Sequence, residues 1–209
     1  MATLIASIMR RVRAAPWVRV IAGGALLVSG NAVAQIDDGA SEIEVKAAFV
    51  YKFMGYVEWP RHSLAADAPL VIGVAGAEDI AGELSRIVTA RTIQGRSVTV
   101  RPINAPAELN GVQVLFIGAD AVSRMPRLIE AARERPILIV TDAPDGLEHG
   151  AMINFVRVKR RVQFEIAVAP AERAGLTLSS RLLAVALRVK KGGLEMERLI
   201  ARLERPLSA

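Results

Sequence analysis

The chain has 209 residues, of which 27 are basic, 21 are acidic and none is cysteine. Without cysteine the protein has no disulfide bond, no thiolate metal site and no thiol nucleophile. The formal net charge is +6, but four of the basic residues and none of the acidic ones lie in residues 1–34. The rest of the chain therefore has a net charge of only +2. A charge this small excludes the strongly basic surface of a nucleic-acid-binding protein.

Residues 1–34 have the three parts of a secretory signal peptide. A basic region precedes an apolar run at residues 18–28, and a small-residue cleavage site ends at Ala34. The apolar run has about eleven residues, whereas a membrane-spanning helix needs about 20. We therefore predict a signal peptide that is cleaved after Ala34, so that the mature protein is secreted.

The segment from Ser41 to Pro60 is predicted to form an amphipathic helix, and it holds five of the nine aromatic residues of the chain. Ser41 and Glu44 match a capping box, which satisfies two backbone N–H groups at the start of a helix. Proline cannot continue a helix, so Pro60 marks the end of this one. The helical spacing predicts a buried face formed by Phe49, Phe53 and Val57.

Three other side chains of this segment fall on the opposite side of the helical wheel, namely Tyr51, Glu58 and Trp59. Exposed tyrosine and tryptophan side chains are common anchors of protein interfaces. We therefore predict these three as the partner-binding residues, with a role in core packing as the alternative.

Downstream of Pro60, apolar strands alternate with amphipathic helices. The strands are predicted at residues 69–75, 96–103, 112–118 and 136–141, and the helices at residues 78–90 and 123–133. Strands that are apolar throughout are buried on both faces, as in a parallel sheet covered by helices.

The pattern then changes to two adjacent strands and a last helix. The strands at residues 151–158 and 161–168 form a β-hairpin around Lys159 and Arg160, and a closing helix is predicted at residues 178–189. We predict one α/β domain over residues 41–190, with a central, mostly parallel sheet flanked by helices on both faces, a C-terminal β-hairpin and a closing helix. A short amphipathic tail is predicted at residues 194–209.

Few groups in this sequence can carry chemistry. The glycine turn at residues 73–76 could hold a phosphate or small ligand, although it matches neither the dinucleotide fingerprint nor the Walker motif. The two histidines, His62 and His149, lie in predicted loops with no nucleophile elbow, and the acidic stretch at residues 142–149 has turn composition. We predict no catalytic residue, no metal site and no cofactor.

The basic run at residues 157–161 indicates a solvated turn, with an anionic membrane or an acidic partner as alternatives.

Three motifs together resemble the YfiR family of periplasmic proteins. The first is Lys46-Ala47-Ala48-Phe49 followed by Tyr51, Phe53 and Trp59-Pro60. The second comprises Gly150, Ile153 and Phe155, and the third comprises Ser179, Ser180, Leu182, Leu183 and Ala186. The resemblance covers residues 41–189 and does not include the tail.

This resemblance implies a sheet with helices around it, a homodimer, and a regulator without enzymatic activity. The best-known member of the family binds the periplasmic part of an inner-membrane diguanylate cyclase and represses it. An outer-membrane, peptidoglycan-binding lipoprotein relieves that repression. The well-known member relies on disulfides, which this chain cannot form, so redox control does not apply here.

The functional hypothesis is a non-enzymatic periplasmic protein that represses a membrane signalling enzyme, a diguanylate cyclase. Loss of this protein is then expected to raise cellular cyclic-di-GMP and biofilm formation. A periplasmic small-ligand-binding module, or an accessory to outer-membrane uptake, is the alternative, since open α/β sheets bind ligands at strand ends such as those near Gly73 and Gly118. A hydrolase using Ser123 or Ser179 is the weakest hypothesis.

Overall fold

The computed structural model describes residues 41–64 and 68–191, with only the backbone of His62. The predicted signal peptide at residues 1–34 and the tail at residues 194–209 lie outside this part of the chain. The described residues form an eight-stranded sheet with helices packed on it, and a separate two-stranded ribbon. Across these two ranges, no helix has the length and apolar character that a bilayer span requires.

The strands, in chain order, are β1 (Val57–Glu58), β2 (Leu70–Ala75), β3 (Thr92–Ile93), β4 (Arg96–Pro102), β5 (Val114–Ile117), β6 (Leu138–Thr141), β7 (Ile153–Val158), β8 (Arg161–Ala167), β9 (Thr177–Leu178) and β10 (Arg188–Lys190). The α-helices are α1 (Glu42–Phe53), α2 (Glu78–Val88), α3 (Met125–Ala132), α4 (Val168–Arg173) and α5 (Ser180–Val185). Short 3₁₀ helices lie at Met54–Tyr56, Arg61–Ser63, Pro106–Leu109 and Ala119–Arg124.

The large sheet has the order β10-β8-β7-β6-β5-β2-β4-β3. Only the β3–β4 and β7–β8 pairs are antiparallel in this sheet, so the predicted mostly parallel α/β domain is confirmed. Every residue of β5 and β6 is buried, because helices cover both faces of the sheet centre. The β2–α2–β4 and β5–α3–β6 connections run in opposite directions along the sheet. Right-handed crossovers therefore place α2 on one face and α3 on the other.

Helix α1 begins with the predicted capping box. The Ser41 hydroxyl accepts a hydrogen bond from the Glu44 backbone N–H at 3.2 Å, and the Glu44 carboxylate accepts one from the Ser41 N–H at 2.9 Å. The helix packs beside α2 and against β8. Its register therefore decides which aromatic side chains face the sheet.

All five phenylalanines of the chain meet in one aromatic cluster. Neighbouring ring centroids in this cluster lie 5.0–6.5 Å apart, within the usual range for paired aromatic rings. The members are Phe49 and Phe53 from α1, Phe116 from β5, Phe155 from β7 and Phe164 from β8. The cluster joins the first helix to the hairpin, so the phenylalanines of the sequence motifs, Phe49, Phe53 and Phe155, are packing residues here.

The predicted helix over residues 41–60 is too long. The α-helix ends at Phe53, one 3₁₀ turn follows at Met54–Tyr56, and the chain is then extended in β1. Phe53 and Val57 are buried as predicted, while Phe49 is half-buried at the edge of the core. Val57 reaches the core as a strand residue and not as a helix residue.

The predicted closing helix at residues 178–189 is also wrong in its extent. Its first residue, Leu178, belongs to β9, and Ser179 caps the short α5 by accepting from the Leu182 backbone N–H at 3.3 Å. The chain is extended again at Ala186 and forms β10, which pairs in parallel with β8. Pairing with distant strands determines the secondary structure of this region, and the local pattern of apolar residues does not reveal that pairing.

Candidate functional site

A two-stranded ribbon joins the beginning and the end of the described domain. Strand β1 pairs with β9 in antiparallel fashion, with Val57 opposite Leu178 and Glu58 opposite Thr177. The Ser179 backbone N–H continues the ladder by donating to the Tyr56 carbonyl oxygen at 2.9 Å. The ribbon therefore brings together the two segments that carry the first and third sequence motifs.

Trp59 does not lie on the surface, so the prediction of an exposed indole is wrong. Its side chain is 8% exposed and packs in the hydrophobic core. The helical wheel does not apply after Phe53, and side chains in an extended chain alternate between two faces. Burial follows this alternation, since Val57 and Trp59 are buried and Glu58 between them is exposed.

The other two predicted partner-binding residues lie in different settings. Glu58 is exposed on the ribbon. Tyr51 is half-buried on α1, where its hydroxyl donates to the Thr92 carbonyl oxygen at 3.4 Å and the Arg91 guanidinium lies 5.9 Å from the ring centroid. Tyr51 is thus tied to the end of α2 and to β3, whereas Glu58 is tied to β9.

The sequence prediction missed an exposed aromatic side chain beside Glu58. Tyr56 is 40% exposed at the entry to the ribbon. Two more apolar side chains are exposed near the end of the described chain, Val185 at 58% and Leu187 at 47%. The turn at Gly55 could have indicated that the helix ends early, which would have separated Tyr56 from the buried face.

A partly buried ion-pair network fixes the start of α1. The Lys46 ammonium donates to the Asp142 carboxylate at 2.7 Å and lies 2.8 Å from the Glu42 carboxylate, which Arg157 also approaches at 3.3 Å. The favourable spacing of Glu42 and Lys46 is visible in the sequence. Asp142 follows β6 and is 96 residues from Lys46 along the chain, so only the fold shows this contact.

The network shifts the pKa values of its members in opposite directions. Burial acts to lower the pKa of Lys46, but hydrogen bonds to Asp142 and Glu42 outweigh it and raise that pKa. The hydrogen bond from Lys46, aided by the charge of Arg157, lowers the pKa of Glu42. The charged state of both groups is therefore favoured at neutral pH, and the network ties the first helix to the sheet and the hairpin.

We expect the Lys46–Asp142 contact to contribute measurably to stability. Lys46→Met and Asp142→Asn should each lower the free energy of unfolding, and the double variant should show a coupling of about 1–2 kcal/mol, as contacting charges do. Urea unfolding followed by circular dichroism measures this coupling. The exposed pair of Arg133 and Glu130, 2.9 Å apart, is a matched control that should couple by less than about 0.5 kcal/mol.

The pH dependence of this network follows from the two shifts. The stability from Glu42 is present above its usual pKa of 4.5 and is lost as the pH falls through the lowered value. The stability from Lys46 is present below its usual pKa of 10.5 and is lost as the pH rises through the raised value. The Lys46→Met variant should therefore have flatter acid and alkaline limbs in a plot of stability against pH.

Backbone atoms fill the space between the carboxyl ends of β2 and β5, which is the topological switch point of the sheet, where open α/β sheets usually bind ligands. A Cβ atom at Gly118 would overlap the carbonyl oxygen of Gly76, and a Cβ at Gly76 would overlap the backbone at Ala121. Among the charged side chains that line the cleft beside this contact, three are acidic, Glu78, Asp79 and Asp120, and one is basic, Arg124. This arrangement favours a tight strand–helix turn at residues 73–76 over a phosphate site.

The remaining chemical candidates stay apart from one another. His149 is exposed, and Glu148 beside it pairs with Lys190 at 2.9 Å. Asp145 adopts a left-handed conformation (φ 53°) in the turn that precedes them. Across the described ranges, no three His, Asp or Glu side chains converge as metal ligands would.

Comparison with known proteins supplies a family and a fold. The YfiR/HmsC-like family model, DUF4154, matches residues 43–187. A conserved domain protein from Vibrio cholerae is similar in structure, with a TM-score of 0.50 and 16% identity over 72% of this chain and 60% of that one. An ABC domain from Streptococcus pneumoniae, solved in complex with L-Trp, gives a TM-score of 0.48 and 11% identity over 70% of this chain and 60% of that one.

The present chain therefore spans about three fifths of each of these two structures, and a comparison with curated proteins found no match. The Vibrio cholerae structure supports the α/β fold alone. The family match covers most of the described residues, from α1 to the residue before β10. The chain belongs to the YfiR/HmsC-like family of periplasmic regulatory proteins.

Proposed function

We propose that this protein binds the periplasmic sensor region of an inner-membrane diguanylate cyclase and represses it without catalysing a reaction. The family supports a regulatory role in such signalling systems. The observation that carries the proposal is the ribbon of β1 and β9, which joins the segments of two family motifs and exposes Tyr56 and Glu58 between them.

The ribbon has the features of a protein-binding surface. Tyr56 offers an aromatic side chain with a polar hydroxyl, and such side chains are enriched at interfaces. Glu58 offers a carboxylate that can select a basic group on a partner. The buried Trp59 directly follows β1 in the chain and would act as a positioning residue for the ribbon. Tyr51 forms a second contact region on α1.

Repression by this route is a shift between two conformations of the sensor. A ligand changes such an equilibrium only through the difference between its affinities for the two states. To invert an equilibrium from 99:1 to 1:99, the protein would need to prefer the inactive sensor by a factor of about 10⁴. The proposal therefore requires tight binding to the inactive sensor, and it requires no catalytic group on this protein.

Deletion of the gene should raise cellular cyclic-di-GMP and biofilm formation, and a plasmid copy should restore both. A copy with Glu58→Lys should fail to restore them, because the reversed charge opposes the partner while the exposed site leaves the fold intact. The matched control is Glu134→Lys on an exposed residue away from the ribbon, which should complement fully. Unchanged cyclic-di-GMP in the deletion strain would contradict the cyclase as target.

Two further partners belong to this proposal. An outer-membrane, peptidoglycan-binding lipoprotein would relieve the repression by sequestering the protein, and a homodimer would be the free form. Light scattering of the purified protein at several concentrations measures the second of these directly. Cross-linking in cells that do or do not express the lipoprotein tests the first.

A further inference from the structure

The turn of the β7–β8 hairpin has an unusual backbone for its sequence. Lys159 and Arg160 are the two residues between paired Val158 and Arg161, and both have positive φ angles, 47° and 64°. Two-residue hairpin turns of this kind are dominated by Asn-Gly, because the left-handed conformation is unfavourable for residues with longer side chains. The chain thus places two long cationic side chains where local folding favours Asn and Gly.

Local strain of this sort is tolerated where the side chains have a use. The strained residues stand in a group of exposed basic side chains at the tip of the hairpin, namely Arg157, Lys159, Arg160 and Arg161. Arg157 is paired with Glu42 at 3.3 Å. Within the described ranges the other three have no carboxylate within ion-pair distance, so about three uncompensated charges concentrate at this point.

The tip also extends beyond the rest of the sheet. Strand β6 pairs with β7 only at Ile153 and Asn154, and β10 pairs with β8 only at residues 165–167. From Val156 to the turn, the hairpin is therefore flanked by no other strand of the described sheet. Three residues of extended chain correspond to about 10 Å, which carries the charges clear of the strands beside them.

We propose that this hairpin tip binds the anionic surface of a phospholipid bilayer. Exposed Lys and Arg side chains near an anionic bilayer each strengthen binding about five-fold, and they need no pocket to do so. Specific protein interfaces are anchored mainly by tryptophan, tyrosine and arginine side chains that fill pockets. The tip carries arginine but no aromatic side chain, and its arginines stand exposed on and beside a two-residue turn. The observations therefore favour a lipid surface over an acidic protein segment.

This inference does not rest on the proposed function. If both hold, the tip would keep the protein beside the membrane in which its target is anchored. Binding through three charges is weak and reversible, so it would concentrate and orient the protein and would not anchor it.

Sedimentation with lipid vesicles tests the proposal on the purified protein. We expect binding to vesicles that contain phosphatidylglycerol, loss of that binding as salt screens the charges, and no binding to phosphatidylcholine alone. The variant Lys159→Asn with Arg160→Gly should bind about 25-fold more weakly, since it removes two charges. It should also melt a few degrees higher, because it relieves the strained turn.

Two further variants separate charge from folding. Lys159→Gln with Arg160→Gln removes the charges without the favourable turn residues, and it should lose binding while its melting temperature does not rise. Arg127→Gln with Arg173→Gln removes two exposed charges elsewhere and should bind phosphatidylglycerol within about two-fold of the unmodified protein.

Three results would overturn the proposal. An equal loss of binding in the Arg127 and Arg173 control would mean that overall charge, and not the tip, attracts lipid. The tip would be assigned to an acidic protein partner if two results came together. The protein would fail to bind phosphatidylglycerol at low salt, and it would bind poly-glutamate in a way that the Lys159→Asn, Arg160→Gly variant loses. A lower melting temperature in the Asn-Gly variant would show that the Lys159-Arg160 turn is not strained, and the turn would then give no reason to expect a use for its charges.

Discussion

Replacing Trp59 with alanine should destabilise the domain by about 3–5 kcal/mol, the usual range for removing a buried aromatic side chain. Trp59 is 8% exposed and lies in the hydrophobic core, directly after β1 in the chain. A change of this size is a large part of the stability of an ordinary domain. We therefore expect loss of repression through unfolding and not through loss of a partner contact. Urea titration followed by circular dichroism measures the change.

The control for this experiment is Trp59→Phe. The indole Nε1 has no hydrogen-bond partner among the described residues, so phenylalanine removes volume without leaving a polar group unpaired. We expect a loss of only about 1–2 kcal/mol for this variant. If Trp59→Ala kept the stability of the unmodified protein and still failed to repress, the residue would belong to the partner surface after all.

Gly118→Ala should destabilise the domain by about 2–3 kcal/mol through overpacking. A Cβ atom at Gly118 would overlap the carbonyl oxygen of Gly76 and lie 2.6 Å from the Cβ of Ala77. Neither group can move freely, because the Gly118 N–H donates to the Ala75 carbonyl oxygen at 2.8 Å and holds the two strand ends together. The methyl group would therefore separate the ends of β2 and β5.

Gly82→Ala is the matched control for this prediction. Gly82 lies within α2, and a Cβ atom there would meet nothing within 4 Å apart from the backbone of its own helix. Alanine favours a helix over glycine by about 1 kcal/mol, so this variant should be more stable than the unmodified protein. Thermal unfolding of both variants gives opposite shifts if the two glycines differ as described. A neutral Gly118→Ala would mean that the switch point has room for a ligand.

The central sheet could be predicted from the sequence because its signal is local. Strands β5 and β6 are apolar at nearly every position, and a run of this kind is buried on both faces. The capping box of Ser41 and Glu44 likewise lies within four residues, and it marks the start of α1 correctly. Each of these features is a property of one short segment.

The features that the sequence did not show depend on distant partners. The apolar pattern around Trp59 fits a helix, but pairing with β9 extends the chain from Val57 onward. The segment at Arg188 is likewise drawn into a strand by its pairing with Glu165. Lys46 gains a carboxylate from Asp142, far away in the sequence. In each case a contact between remote segments outweighs a local preference.

The ribbon also has a consequence for the order in which the protein matures. Its strands pair residues that are separated by about 120 positions, such as Val57 and Leu178, and contacts this remote form late because a long loop must close first. The surface around Glu58 is therefore completed only when the C-terminal part of the domain has arrived. An incomplete chain would lack the finished ribbon, so under the proposed function repression would begin only with a whole molecule.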